Sequence, residues 1–278
     1  MDITLDELRI ISGREKFGLP IIEKDYLATY LLFLIKDVKG IFFKGGTAIN
    51  KIFLNHTRLS EDLDFTLTRD IKKVEAEIKE KLKSTIFDKI SQGKDVEGFL
   101  RLVIHYKLFH EPGTIFIDLT ERAKPILKPE KYLISHFYKD KFPSFYIFCL
   151  SKEEMFAEKL RATIERYKPR DYLDLYNLIR AGNSINLEIT KAKLESAGKK
   201  LDIKAVFKNT NKVFRLWKKD LASITKDEIS FHEVISFLAE YFKLKEIKDS
   251  EKKSKTNFKP GDELQAEAKK GEIKLKRK

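Results

Sequence analysis

In 278 residues there is one cysteine, Cys149, and one tryptophan. A lone cysteine excludes an intramolecular disulfide, and with it the disulfide-stapled secreted class. Its setting, FYIFCLS, is apolar, so a buried, inert thiol is expected. Long hydrophobic runs are also lacking. The longest, Leu27 to Ile35, is too short to span a bilayer and is flanked by Asp25 and Lys36. The opening MDITLDELRI has no basic segment followed by an apolar core. These features predict a soluble, cytosolic protein without membrane contact. No P-loop lysine motif or nucleophile elbow occurs. The histidines, His56, His105, His110, His136 and His232, show no metal-ligand spacing, and no internal repeat is visible.

Acid is scarce relative to base. Lys+Arg number 56 against 43 Asp+Glu, a net charge of +13. Such a field favours anionic partners, with nucleic acid first and a membrane surface second. A Lys/Glu-rich surface is also what heat-adapted proteins carry.

The hydrophobic pattern changes along the chain. Residues 5–11 and 20–37 read as helices, the second with Pro20 at its start. Ile41–Phe43 is a short β run ending at Gly45-Gly46, with a helix to follow. Leu63–Leu67 alternates as a strand. Val74, Ile78, Leu82, Ile86 and Ile90 recur every four residues and predict an amphipathic helix over 70–91. Strands are expected near 99–108, 114–119 and 144–149. After Ser151 the pattern is helical: 152–167, 170–181, 187–198, 201–221 and 226–244. The fold class is therefore α/β (α+β), a mixed sheet with helices over 1–150 and an all-α region over 151–245. Residues 246–278 are dense in Lys and Glu, and a weakly ordered tail is expected there.

In a strand, residues i and i+2 share a face, so Asp62 and Asp64 project together while Leu63 and Phe65 face the core. Two carboxylates that close repel, and a divalent cation such as Mg²⁺ relieves the conflict. An exposed pair bridged to Lys or Arg is the plainer account. Gly45-Gly46-Thr47 lies between a strand and a helix, where backbone N–H groups can receive an anion and Thr47 can add a hydroxyl. Together the two motifs have the layout of phosphoryl or nucleotidyl transfer. A third carboxylate, Asp118 in TIFIDLTER, falls on the face opposite the isoleucines. It could hold a second ion or act as base, or simply end a strand next to Arg122. On the helix over 152–167, Met155, Lys159 and Ala162 share a face, while Glu158, Arg161 and Glu165 are spaced for ion pairs. Asp171 and Asp174 sit near a helix start, where acidic residues are favoured in any case.

KGGTAINK followed by RLSEDLDF resembles the AbiEii/AbiGii-type (MenT-like) toxin nucleotidyltransferases of the polymerase-β-like nucleotidyltransferase superfamily. IIEKDYLATYLL (21–32) is similar to that family's N-terminal helix. EMFAEKLRATIERYKPRDYLDLY (154–176) is similar to its later Lys and Arg-Asp motifs. The resemblance spans roughly residues 20–180. It implies a nucleotidyltransferase-like first domain and an NTP substrate cradled by Gly45, Gly46 and Thr47, with Lys44 and Ser60 beside them. It implies Mg²⁺ or Mn²⁺ on Asp62 and Asp64, with Asp118 as the third acidic position, Lys159 on the triphosphate and Asp171 as a later essential acid. It further implies transfer of NMP to an acceptor such as a tRNA 3′ end, within a toxin–antitoxin (abortive infection) system whose antitoxin could be a winged-helix regulator.

Charge placement suggests where an acceptor would bind. Lys191, Lys193, Lys199, Lys200, Lys204, Lys208, Lys212, Arg215, Lys218 and Lys219 crowd residues 190–220, and Lys204, Lys208 and Lys212 repeat every four residues. RNA is expected along that helical face rather than on the tail. Two other classes stay open: a basic nucleotide- or nucleic-acid-binding protein without chemistry, and a metal-dependent nuclease.

Overall fold

Thr4 and Glu7 form a reciprocal capping box that starts α1 (Leu5–Glu15), and Pro20 lies in the first turn of α2 (Leu19–Ile35). The structure is a computed structural model. It describes residues 3–242 and the backbone of two further strands, Leu264–Lys269 and Glu272–Arg277. Past α2 come β1 (Ile41–Lys44), α3 (Gly45–Ile52), β2 (Leu63–Leu67) and α4 (Ile71–Leu82). The strands β3 (Ile90–Val96), β4 (Phe99–Tyr106), β5 (Gly113–Thr120), β6 (Glu130–Leu133) and β7 (Tyr146–Cys149) follow. With β1 and β2 they form one seven-stranded sheet in the order β3-β4-β5-β2-β1-β7-β6 among the described residues. It is mixed: β1 runs antiparallel to β2, while β2 is parallel to β5 and β1 to β7.

Alternation along the central strands sets the two faces of this sheet. Leu63 and Phe65 of β2, Leu100, Leu102 and Ile104 of β4, and Ile115, Ile117 and Leu119 of β5 are fully buried, as are Val74, Ile78 and Leu82 of α4. All belong to one continuous core. The intervening residues of β4 and β5 are only half-buried, so one face is packed and the other is open. Cys149 lies in the core, and burial pushes its thiol up.

The remainder is helical: α5 (Lys152–Arg166), α6 (Pro169–Arg180), α7 (Leu187–Glu195), a 3₁₀ turn (Ile203–Phe207), α8 (Thr210–Leu221) and α9 (Phe231–Tyr241). Ser151 caps α5, and Tyr167 ends it in the left-handed conformation just before Pro169. The loop between α3 and β2 is tied to this region, where Leu59 N–H donates to the Ile224 carbonyl at 2.8 Å.

Two expectations are corrected. The helix over 70–91 stops at Leu82, because Ser84 takes a positive φ and the Thr85 hydroxyl donates to the Leu82 carbonyl. Ile86 is left 47% exposed, and Ile90 opens β3. The helix over 201–221 is broken. Lys204 lies in the 3₁₀ turn, Lys208 at its end on Asp202, and Lys212 in α8, so the three share no helix face. Within the tail, Leu264–Lys269 and Glu272–Arg277 pair as an antiparallel hairpin, and the rest of 246–278 is outside the described residues. Among the described residues no helix is long and apolar enough to cross a membrane.

Candidate active site

Strand pairing brings the carboxylates together. Asp64 lies in register with Asp118 on β5 and with Lys44 on β1, and Asp62 immediately precedes β2. Burial raises the Asp64 carboxyl to about 6; Lys44 opposes the shift, and Asp118 and Asp62 add to it. Asp62 is raised too, by burial first and then by Glu61 and Asp118. These carboxylates are charged against their surroundings, which is the condition a divalent cation would relieve. Asp62 and Asp64 therefore fit such an ion as a pair.

Asp118 does not join them as a free ligand. Its two oxygens accept from Arg101 Nε at 2.7 Å and Nη2 at 2.6 Å. Among the described residues no group of three or more His, Cys, Asp or Glu is arranged to hold a metal ion. Asp62 and Asp64 thus stand as a pair beside Asp118, the third carboxylate expected from sequence, which Arg101 holds. The bridge partner is Arg101, one strand away, and not the sequence neighbour Arg122.

The double glycine is explained by what presses on it. Gly45 has φ +79, and a Cβ there would lie 2.2 Å from Asp64 Oδ2. A Cβ on Gly46 would meet Arg58 Nη2 at 2.6 Å and Ser60 Oγ at 3.4 Å. The close approach is first of all to the protein's own side chains, and it seats the start of α3 directly beside Asp64. Lys44 precedes this turn, but its ammonium is held by Glu158 at 3.2 Å. Thr47 is buried, and its hydroxyl donates to the Asp62 carbonyl at 2.5 Å. That hydroxyl, expected at a phosphate, holds the Asp62 backbone against α3 in this structure. Ser60 Oγ stands over Gly46 and remains half-buried.

Beneath α3 runs a ladder of buried charge. Arg58 donates to both oxygens of Asp174, at 2.7 and 2.6 Å, and Asn50 Nδ2 donates to Asp174 Oδ1 at 3.0 Å. Lys159 Nζ lies 2.9 Å from both Asp171 and Asp174. Arg166 reaches Asp171 at 2.9 Å from the solvent side, its side chain 58% exposed. Lys159 is only 5% exposed. Its ammonium, expected at a triphosphate, is engaged in this structure by two carboxylates. Burial disfavours its charge, but Asp171 and Asp174 together raise its pKa. Asp174 is lowered to about 2: burial opposes this, and Arg58 and Lys159 outweigh it. Asp171 is lowered on the same pattern by Lys159 and Arg166, and its Oδ2 is buried without a partner.

Sequence patterning does not single out Asn50, Arg101 or Arg166, and it gives Arg58 no role beyond its place in RLSEDLDF. Arg58 precedes the Asp-x-Asp pair by four residues in RLSEDLD, but its partner is 116 residues away. Arg166 is the cation still offered to solvent near Asp64, to which it is electrostatically coupled. Arg161, expected on an ion-pair face, reaches Glu165 at 3.7 Å and keeps its Nε buried without a hydrogen-bond partner. His56 and His136 are lowered to about 4, chiefly by burial, and take no part in the site.

A family model covers most of the chain, and solved structures share its fold. The model of the family described as "Nucleotidyl transferase AbiEii toxin, Type IV TA system" matches residues 33–253. Among solved structures, the fold is similar to MenT4, a nucleotidyltransferase toxin from Mycobacterium tuberculosis. That match has a TM-score of 0.66 and 18% identity, covering 87% of this chain and 89% of that one. It is also similar to JHP933 from Helicobacter pylori, with a TM-score of 0.58 and 19% identity over 85% of this chain and 97% of that one. No curated protein matches the sequence.

Proposed function

The chain belongs to the AbiEii nucleotidyl transferase toxin family, and from that premise we propose that it transfers NMP from an NTP to RNA, with the 3′ end of a tRNA as acceptor and a divalent cation as cofactor. Nucleotidyl transfer and a place in a toxin–antitoxin pair come with the family. The metal, the acceptor and a winged-helix antitoxin are the proposal.

The observation that carries it is the Asp64 carboxyl, raised to about 6 against the first turn of α3. Backbone N–H groups at that turn have no helical partners and suit a phosphate. Arg166 on α5, electrostatically coupled to Asp64 and open to solvent, is the side chain proposed to meet the triphosphate. Lys159 and Asp171 instead hold α5 and α6 in place beneath the site. When bound on Asp62 and Asp64, Mg²⁺ or Mn²⁺ supplies Lewis-acid neutralisation of the phosphates. The acceptor hydroxyl oxygen bonds to the α-phosphorus, and the bond from that phosphorus to the bridging oxygen breaks. Pyrophosphate leaves with the electron pair, and the hydroxyl proton passes to the carboxylate row formed by Asp62, Asp64 and Asp118. The cytoplasm, where NTP and tRNA are available, is the proposed location.

Incubation with α-labelled NTPs, total RNA and Mg²⁺ tests this. Label is expected on tRNA-sized RNA and is expected to vanish with chelator. RNA retained without label would indicate a binding protein, fragmented RNA a nuclease, and label on protein a different acceptor.

A further inference from the structure

The open face of β4 and β5 carries two guanidinium groups laid on phenyl rings. Arg101 lies over Phe116, 4.5 Å from the ring centroid, and Arg122 over Phe99 at 5.8 Å. Each guanidinium has a second partner that fixes its plane. Asp118 takes Arg101 through both oxygens, and the Glu97 carbonyl accepts from Arg122 Nε at 3.0 Å. Gly93 on β3 makes room, since a Cβ there would stand 3.2 Å from Arg101 Cγ. Arg101 nevertheless stays 35% exposed. Phe99 and Arg101 are two residues apart on β4, about 7 Å along one face. The register Arg101↔Asp118 on β5, followed by Asp64↔Asp118 on β2, makes this face continuous with the Asp62–Asp64 pair.

We propose that this face is a stacking platform for the unpaired bases of the RNA acceptor end, an inference that rests on the reading that RNA is the acceptor. Fixed guanidinium planes and phenyl rings on an open sheet suit splayed, single-stranded bases, and their positive charge suits the phosphates between them. Continuity with Asp64 would deliver the terminal hydroxyl to the reacting phosphate. The basic helical region is a poorer candidate than its composition implies. Lys193 is buried on Glu154 and Glu158, Lys199 is paired with Glu165, and Lys208 with Asp202.

The test is fluorescence anisotropy of a fluorescein-labelled single-stranded oligoribonucleotide on the full chain, without NTP or divalent cation. Arg101→Ala, Arg122→Ala and Phe116→Ala should each weaken binding on the order of tenfold. Phe116→Tyr should restore it, and melting curves should show every variant folded at the assay temperature. Affinity for a blunt RNA duplex should change little. Unchanged single-strand affinity in all three alanine variants, with the wild type still labelling RNA, would overturn the platform and leave RNA as acceptor. Equal weakening for duplex and single strand would reduce these arginines to general phosphate attraction and also overturn it. A wild type that neither binds nor labels RNA would remove both readings.

Discussion

Replacing Lys159 by Ala separates a structural cation from a substrate contact. The substitution removes an ammonium shared by Asp171 and Asp174 in a fully buried setting. Breaking a buried pair by deleting one partner costs about 3–5 kcal/mol, because the remaining charge is left uncompensated. Here Asp174 keeps Arg58 and Asn50, and Asp171 keeps Arg166, so the lower end applies, about 3 kcal/mol. In a chain of this size each kcal/mol moves the melting temperature by about 2–4 °C, which gives a drop of roughly 10 °C. Lys159→Met, which keeps the stem and removes only the charge, should fall almost as far. Thermal melts and NTP titrations on the same samples are the assay, with Arg166→Ala as counterpart. That variant should melt near the wild type while its NTP affinity falls severalfold. If Lys159→Ala melts like the wild type and loses only NTP affinity, Lys159 is a phosphate contact and the ladder argument is wrong.

Gly45→Ala should abolish transfer and lower the melting temperature, since it combines a positive φ with a clash at Asp64; an active, stable variant would contradict the account of the turn. Thr47→Val keeps shape but leaves the part-buried Asp62 carbonyl without its donor, and should cost about 1 kcal/mol in urea unfolding with little change in the KM for NTP. Acid sensitivity should track Asp174. Its folded pKa of about 2 lies below the unfolded value, so its contribution is full above about pH 4 and is lost as the pH falls toward 2. That contribution amounts to about 2 kcal/mol, and Asp174→Asn should flatten the acid limb of the stability curve.

Much of the site is legible where chemistry and periodicity coincide. The strand Leu63–Leu67 and the shared face of Asp62 and Asp64 follow from alternation, and the glycines mark the turn that meets them. Long-range pairing leaves no such trace. Asp118 and Lys159 look free in sequence because Arg101 and Asp174 come to them only in the fold. Arg58 carries no periodic signal, yet it is among the largest fully buried side chains. The edge strands β3 and β6 escape notice for a different reason. Their residues are mostly exposed and polar, so neither shows the two-residue alternation of a half-buried strand.

On the proposed mechanism, Asp64 is held at an electrostatic disadvantage for the sake of chemistry. Because its folded pKa of about 6 exceeds the unfolded value, its ionised form disfavours the fold above that pH, and removing the charge should not harm stability. The direct measurement is α-labelled NTP transfer to RNA by Asp64→Asn at neutral pH, with a melting curve on the same preparation. The account predicts no transfer and a melting temperature equal to or above the wild type. Undiminished transfer, or a loss of transfer that only accompanies unfolding, would contradict it.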